Sequence, residues 1–523
     1  MTRPHRHAFA VFALAAAVVA SAIASPARAQ AADAAPFNVH GSGFSVHELR
    51  RNAPAFANRK YTWLTVPAQF EGGVFTQTGG GEKADLRIHA AHDADVYVAS
   101  AAPPDKAATV LGPDWKIVDG VQLTYSDDKQ TPLNVYRAAY KAGTVVGIPQ
   151  FGWAGTIVLA PSLGTTFPPP PGVVVAHLPA ADGHYVGSPS LAVLPDGTYV
   201  ASHDLFGFGP TRPAKGMREG NDSRVFRSAD RGKTWTKIAD VPDQYWSTLF
   251  VHRGALYLLG TDKGFGNVTV RRSTDGGRTW TTPAGPDTGL LLTGGDYHCA
   301  PVPVVEHAGR LWRAFEVNPK DAKRRDFRAF VMSAPVDADL LRAGSWTRTN
   351  ELAYDVQQTG GNWLEGNAVV APDGQIVDLL RIGKNGIEKA ALLHVSADGH
   401  QIAWDPAQDV VDLPGGGVKF TVRFDPTSGR YWSLVNKQKN PDAVRNDLSL
   451  ISSADLRSWR VEATLLHEPD PGTAFQYPDF LIDGDDLLVL SRTAWGAPHN
   501  FHDANYLTFH RVRNFRSPAR VLE

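Results

Sequence analysis

The sequence predicts an all-β protein, a six-bladed β-propeller preceded by a small β-sandwich. Three observations lead there. Gly 49 and Pro 37 among 523 residues supply the turns that many short strands need. Six strand–turn–strand pieces recur: LAVLPDGTYVAS, TLFVHRGALYLLG, PVVEHAGRLWRAFE, NAVVAPDGQIVDLLR, VRFDPTSGRYWSLVN and PDFLIDGDDLLVLSR. Each is two apolar runs around a tight turn containing Gly. Finally, the octapeptide SADRGKTW, ending at Trp235, returns as STDGGRTW, ending at Trp280, 45 residues later. A repeat of that length built from short strands implies sheets arranged radially.

Taken in order, residues 1–29 read as a secretory signal peptide. MTRPHRH is its positive start, AFAVFALAAAVVASAIA its apolar stretch, and Ala27-x-Ala29 its small-residue cleavage pattern. Cleavage after Ala29 is expected to leave a secreted or periplasmic chain. No later segment is long and apolar enough to span a bilayer, so no membrane partner is expected after signal removal. Residues 30–60 read as a mobile leader, on the small and polar AADAAPFNVHGSG. Residues 61–164 alternate apolar and polar side chains in ADLRIHA, ADVYVAS, LNVYRAAY and GTIVLAP, and are expected to form the β-sandwich accessory domain. Its aromatics either pack a core or meet sugar. TTFPPPPG, residues 165–172, is a stiff proline-rich linker. The propeller is expected over residues 173–523.

Bulk charge narrows the partners. Lys+Arg 52 against Asp+Glu 53 excludes a general nucleic-acid or membrane-surface binder. The single cysteine, Cys299, rules out an intramolecular disulfide and reads as a small buried residue. No H-x-x-x-H or H-E-x-x-H pattern supports a metal, and no cofactor is expected. A monomer is the expected state.

The octapeptide has a local explanation. Its Ser and Asp side chains bond backbone N–H groups of the turn, its Gly permits positive φ, and its Trp buries a ring between sheets. It therefore reads as a structural part. Worn copies end at Trp346 (SAPVDADLLRAGSW), Trp404 (SADGHQIAW) and Trp459 (SADLRSW). The pattern S-x-D-x-G-x-T-W resembles the Asp-box, or bacterial neuraminidase repeat, and the chain is similar to the sialidase superfamily on these motifs.

That resemblance implies a Tyr nucleophile activated by a Glu, three Arg on the substrate carboxylate and an Asp acid. Glu365 in NWLEGNAVV and Arg381 in IVDLLRIG resemble the segment carrying the Glu and the second Arg. Arg445 in RNDLSLISSADLRSW resembles the third Arg, and Tyr477 in FQYPDF the nucleophile. The first Arg is absent, since Gly187-Ser188-Pro189 stands where Arg-Ile-Pro is expected. Asp222 in GNDSRVF is the candidate acid by position, with Asp204 in SHDLFG as the alternative. The chemistry is coherent. A phenol avoids the repulsion that a carboxylate nucleophile would meet beside an anionic substrate, and a Glu base makes it reactive. Arg forks bind a carboxylate in a planar, bidentate way.

Further candidates for substrate binding are His203, Asp204, Tyr297, His298, His502 and Asn505, in SHDLFG, GGDYHCAPVP and NFHDANYLTFHRV. These segments leave three functions open. The first is an exported exo-α-sialidase-like hydrolase acting on a terminal sialic acid or uronate-like sugar of a glycan. The second is a lyase acting on uronate-containing glycans through His or Tyr. The third is a non-catalytic glycan-binding propeller.

Overall fold

The computed structural model describes residues 37–160, 169–207, 221–320, 326–359, 362–382, 388–437, 444–468, 472–496 and 498–523. The expected signal segment, residues 30–36 and residues 165–168 of the expected linker lie outside the described residues.

Residues 37–160 form a three-stranded and a seven-stranded antiparallel sheet. The segment read as a leader is structured from Phe37 onward. Phe37–Ser42 pairs with Asp85–Ala90, and Phe44–Glu48 pairs with Val74–Thr78. The physical reason is period-two alternation too short to stand out among small residues. Phe37 and Val39 enter a core with Leu86 and Ile88 of the smaller sheet and Val96, Val98, Tyr136 and Val158 of the larger one. Leu49 and Phe56 join Trp63, Phe75 and Tyr125 in a second core. Most aromatics of this region are thus packing groups.

Among the described residues, 173–522 form six successive antiparallel sheets. The first is built on Tyr199–Gly207, the second on Ala255–Thr261 and the third on Arg310–Asn318. The fourth is built on Ile376–Ile382, the fifth on Arg430–Val435 and the sixth on Asp486–Ala494. The strand that opens each of these units in sequence is here called its inner strand. Six apolar cores lie between consecutive sheets. Leu249 and Leu258 of the second sheet pack on Val200 and Val225 of the first, and Leu311 and Phe315 of the third on Leu259 and Val270 of the second. The series continues through Trp312 with Trp363, Leu379 with Tyr431, and Trp432 with Phe475. It closes where Leu488, Leu490 and Phe509 of the sixth sheet meet Leu191, Tyr199 and Phe226 of the first. Ring closure has a covalent counterpart. The sixth sheet takes its outer strand, Val173–His177, from the start of this region, paired with Tyr506–Arg513.

The octapeptides sit where sequence placed them, at sheet edges between neighbours. Ser273 Oγ donates to Asp275 (2.8 Å) and accepts from the Gly277 amide (2.8 Å). Asp275 also accepts from the Thr279 hydroxyl (2.6 Å) and from the amides of Arg278 and Thr279 (3.0 Å each). The Trp280 indole donates to the Gly277 carbonyl at 3.0 Å. Ser228, Asp230, Thr234 and Trp235 repeat this pattern, and Ser453, Asp455 and Trp459 keep part of it. Gly277 has φ +94°, a conformation that a side chain would strain. Trp280 packs in the core between the first and second sheets, and Trp235 in the core between the sixth and the first.

Inner strands carry a second set of links, from side chain to neighbouring backbone. The Leu249 amide donates to Ser190 Oγ, joining the second sheet to the first at 2.9 Å. Thr248 Oγ1 donates to the Val302 carbonyl, and the Gly366 amide to Glu316, joining second to third and third to fourth. Asn367 Oδ1 accepts from the Val422 amide, Thr421 Oγ1 donates to the Pro478 carbonyl, and Asp479 accepts from Ser190 and the Leu191 amide. Every junction of the ring is bridged.

Burial alone would raise the Asp275 carboxyl, but its bonds from Thr279, Ser273 and Arg278 outweigh this and hold it well below the ordinary carboxylate range. Asp275→Ala is expected to lower stability by about 1–3 kcal/mol at neutral pH in urea unfolding. The depressed value fixes the pH dependence. The gap from wild type is full above about pH 4 and closes as acid protonates the folded carboxyl.

Candidate functional site

The inner strands do not run straight to one end of the ring. In the second, fourth and sixth sheets they bulge between Tyr245 and Thr248, Leu364 and Asn367, and Gln476 and Asp479. Each bulge contains a residue in the left-handed region: Trp246 at φ +49°, Glu365 at +60° and Tyr477 at +53°. A bulge turns a side chain out of the sheet's alternation, and holding a non-glycine residue there costs roughly 1–3 kcal/mol. In the first and third sheets the inner strand splits in two, around Gly187–Pro189 and around Cys299–Val304. Five of the six inner strands are therefore interrupted.

Two of these bulges bring Glu365 and Tyr477 together. The Tyr477 hydroxyl donates to Glu365 Oε1 at 2.9 Å. Arg381 Nη1 donates to Glu365 Oε2 at 2.5 Å, and its Nε donates to the Gly417 carbonyl at 3.0 Å. Arg445 stands 5.5 Å from the Tyr477 ring centroid and donates to Gln476 Oε1 at 3.1 Å. Four residues drawn from widely separated segments thus form one cluster.

A fifth member was not among the sequence candidates. Arg492 lies 5.0 Å from the Tyr477 ring centroid and 4.7 Å from that of Phe206 on the first sheet. It donates to the His502 carbonyl. Its signal in the sequence was slight. LLVLSR ends a hairpin as other strands here do, and only the sheet order brings its tip against Phe206.

Electrostatics follow from crowding. Burial would raise the Glu365 carboxyl, but Arg381 and His298 dominate and hold it at about 2. Burial and the charge of Glu365 push the Tyr477 phenol up, against the pull of Arg445, Arg381 and Arg492. Burial brings Arg492 down to about 10. Three guanidiniums thus face one carboxylate and one phenol, an arrangement with an unmatched demand for negative charge.

The other candidates divide. His298 is at the cluster's edge. Its Nδ1 is 2.8 Å from Glu316 Oε2, and Trp246 meets its ring edge-on at 4.5 Å. His502 offers its carbonyl to Arg492 and Gln476. Asn505 is turned away, bonding both backbone groups of Trp495 and so fixing the loop that carries His502. Tyr297 is buried against Phe330, with its hydroxyl on the Thr293 carbonyl at 3.3 Å, and does not line the cluster. His203 is buried and stacked on Phe226, with Nδ1 on the Asp204 carbonyl at 2.8 Å.

Asp204 serves as a brace. It accepts from Ser223 (3.0 Å) and from the Trp246 amide (2.8 Å), and burial lifts it to about 7. It also explains the missing first Arg. A Cβ at Gly187 would lie 2.8 Å from both the Asp204 Cβ and its carbonyl oxygen, so the backbone there is packed too closely for any side chain. Asp222 accepts the Leu205 amide through its carbonyl, and no side-chain contact joins it to the cluster among the described residues. The described residues also hold no group of three or more potential metal ligands and no helix long and apolar enough to cross a membrane.

Comparison with known proteins places this geometry in context. Residues 257–489 match the model of the BNR repeat-like domain. No curated protein matches the sequence. Solved structures similar to the chain include an α-L-arabinanase of Penicillium chrysogenum complexed with arabinobiose, at 16% identity and TM-score 0.42, covering 66% of this chain and 99% of that one. A leech intramolecular trans-sialidase is 12% identical at TM-score 0.46, covering 91% and 93%. A sialidase of Streptococcus pneumoniae is 10% identical at TM-score 0.45, covering 90% and 94%. Two full Asp-boxes thus lie in the ring of sheets, and the match to the BNR repeat-like domain spans residues 257–489 of it.

Proposed function

We propose that the protein is an exported glycoside hydrolase that removes a terminal acidic sugar, a sialic acid or a uronate-like sugar, from a glycan. In this reading the six sheets are six blades, and the N-terminal pair of sheets is a sandwich-type accessory domain. Tyr477 is the nucleophile and Glu365 its base. The observation that carries the reading is the 2.9 Å bond between them beneath three guanidiniums.

The mechanism follows from the charges. A carboxylate held at about 2 is a poor base for a phenol whose own proton is held tightly. The substrate supplies the correction. Its carboxylate enters between Arg381, Arg445 and Arg492 and offsets the field that Arg381 exerts on Glu365. Glu365 then becomes more basic in the complex than in the free enzyme, and takes the Tyr477 proton as the phenol oxygen attacks. Arg492, resting on Phe206 of the first sheet, provides the third guanidinium where Gly187 admits none. Anionic substrates are thereby favoured for chemistry as well as for binding.

β-Elimination from a uronate fits less well. Tyr297 and His203 are committed to packing, and although His298 keeps a free ring nitrogen, elimination gives no part to the Tyr477–Glu365 bond.

A panel of aryl glycosides and acidic glycans tests the reading. Release of free acidic sugar is expected. Tyr477→Phe should lower kcat by about 10⁴-fold and Glu365→Gln by about 10²–10⁴-fold. An ultraviolet-absorbing unsaturated product from uronate polymers, with no free sugar, would overturn the assignment in favour of a lyase. Arg492→Ala is expected to raise KM about 10–100-fold for an acidic glycoside and to leave a neutral glycoside with the same leaving group unaffected.

A further inference from the structure

We infer that His298, oriented by Glu316, is the acid/base of the reaction, in the role that sequence order assigns to Asp222; the inference rests on the hydrolase reading above. The geometry is that of a fixed imidazole. Glu316 lies on the third sheet and is 0% exposed. Its Oε2 holds His298 Nδ1 at 2.8 Å, and its Oε1 accepts the Gly366 amide at 3.0 Å. Gly366 directly follows Glu365, so the dyad and the base of the nucleophile hang on adjacent backbone positions. The ring is walled by Trp246 at 4.5 Å, Phe327 at 5.3 Å and Phe265 at 6.0 Å. His298 Nε2 has no hydrogen-bond partner among the described residues. A carboxylate on one ring nitrogen with the other left available is the arrangement that fixes tautomer and orientation in His-based proton transfer.

Asp378 is a second buried carboxyl of this layer. It packs against Gly366, where a Cβ would approach its Oδ1 to 2.2 Å, and both its oxygens lack partners. Burial and then the charge of Glu316 push its pKa well up. Asp378 thus keeps its proton, and Glu316 is the carboxyl of this pair that holds His298. Asp222 and Asp204 offer nothing comparable. Asp222 has no side-chain contact with the cluster among the described residues, and the Asp204 oxygens are bonded to Ser223 and Trp246.

The two half-reactions balance. In the first, the Tyr477 oxygen bonds to the anomeric carbon as Glu365 takes its proton. The bond to the leaving oxygen breaks, its electron pair stays on that oxygen, and the oxygen takes the Nε2 proton of His298. In the second, neutral His298 takes a proton from water. The water oxygen bonds to the anomeric carbon, the Tyr477–carbon bond breaks, and the phenolate recovers its proton from Glu365. The net change is one glycosidic bond hydrolysed by one water.

An acid that protonates the leaving group matters most when that group leaves poorly. The test pairs 4-methylumbelliferyl with alkyl or disaccharide glycosides of N-acetylneuraminic acid and of glucuronic acid. His298→Gln, and His298→Asn as a second variant, are expected to lose about 10²–10⁴-fold on the alkyl or disaccharide substrate. On the aryl substrate, release of the first 4-methylumbelliferone equivalent should slow by less than about 10-fold, and azide should speed the following turnover. Glu316→Gln should give the same selective loss to a smaller degree. Equal losses on both leaving groups, or no loss, would overturn the assignment while Tyr477→Phe still abolished both. Wild-type inactivity on every pair would overturn the hydrolase reading and this assignment with it.

Discussion

Interruption of the inner strands at one level is the constraint on which the rest of the structure depends. An unbroken strand would point successive side chains into alternate cores and leave the mouth of the ring lined by whatever the alternation delivered. Breaking the alternation at Trp246, Glu365 and Tyr477 turns three large side chains out of their sheets' alternation. The cost of three left-handed residues is borne by the six apolar cores beneath, and the ladder bonds lost are partly replaced by the sheet-to-sheet links from Ser190, Thr248, Glu316, Asn367, Thr421 and Asp479. Folding and site construction therefore draw on the same residues.

The charges of the cluster are not balanced among its own members. Arg381, Arg445 and Arg492 crowd around a phenol and a single carboxylate. Such crowding is unfavourable in isolation and is relieved by an incoming anion. Strain in the backbone and unmatched charge thus occur at the same place, which is where a folded chain departs from the rules that its remaining residues obey.

What could be read from sequence was local or ordered. The octapeptides were legible because their bonding closes within eight residues. Glu365, Arg381, Arg445 and Tyr477 were legible as a succession, and the structure brings them into one cluster. Arg492 escaped because its significance arises only from the closure that sets the sixth sheet beside the first. His203, Asp204 and Tyr297 looked like loop chemistry but are spent on bracing, since polar side chains near the ring's axis must satisfy interrupted backbone as well as ligands. Sequence showed an Arg absent at Gly187. That absence is a packing consequence of the Asp204 backbone.

The strand Val173–His177 has a bearing on when the ring can close. It precedes the other strands of the ring, and its partner Tyr506–Arg513 is made only after all five intervening sheets. Until that partner arrives, the first-made strand has an unpaired edge, and the sheet bearing Tyr477 and Arg492 is incomplete. The ring cannot close before Tyr506–Arg513 is made, so the cluster of Glu365, Tyr477 and the three arginines has no closed ring to hold it until then.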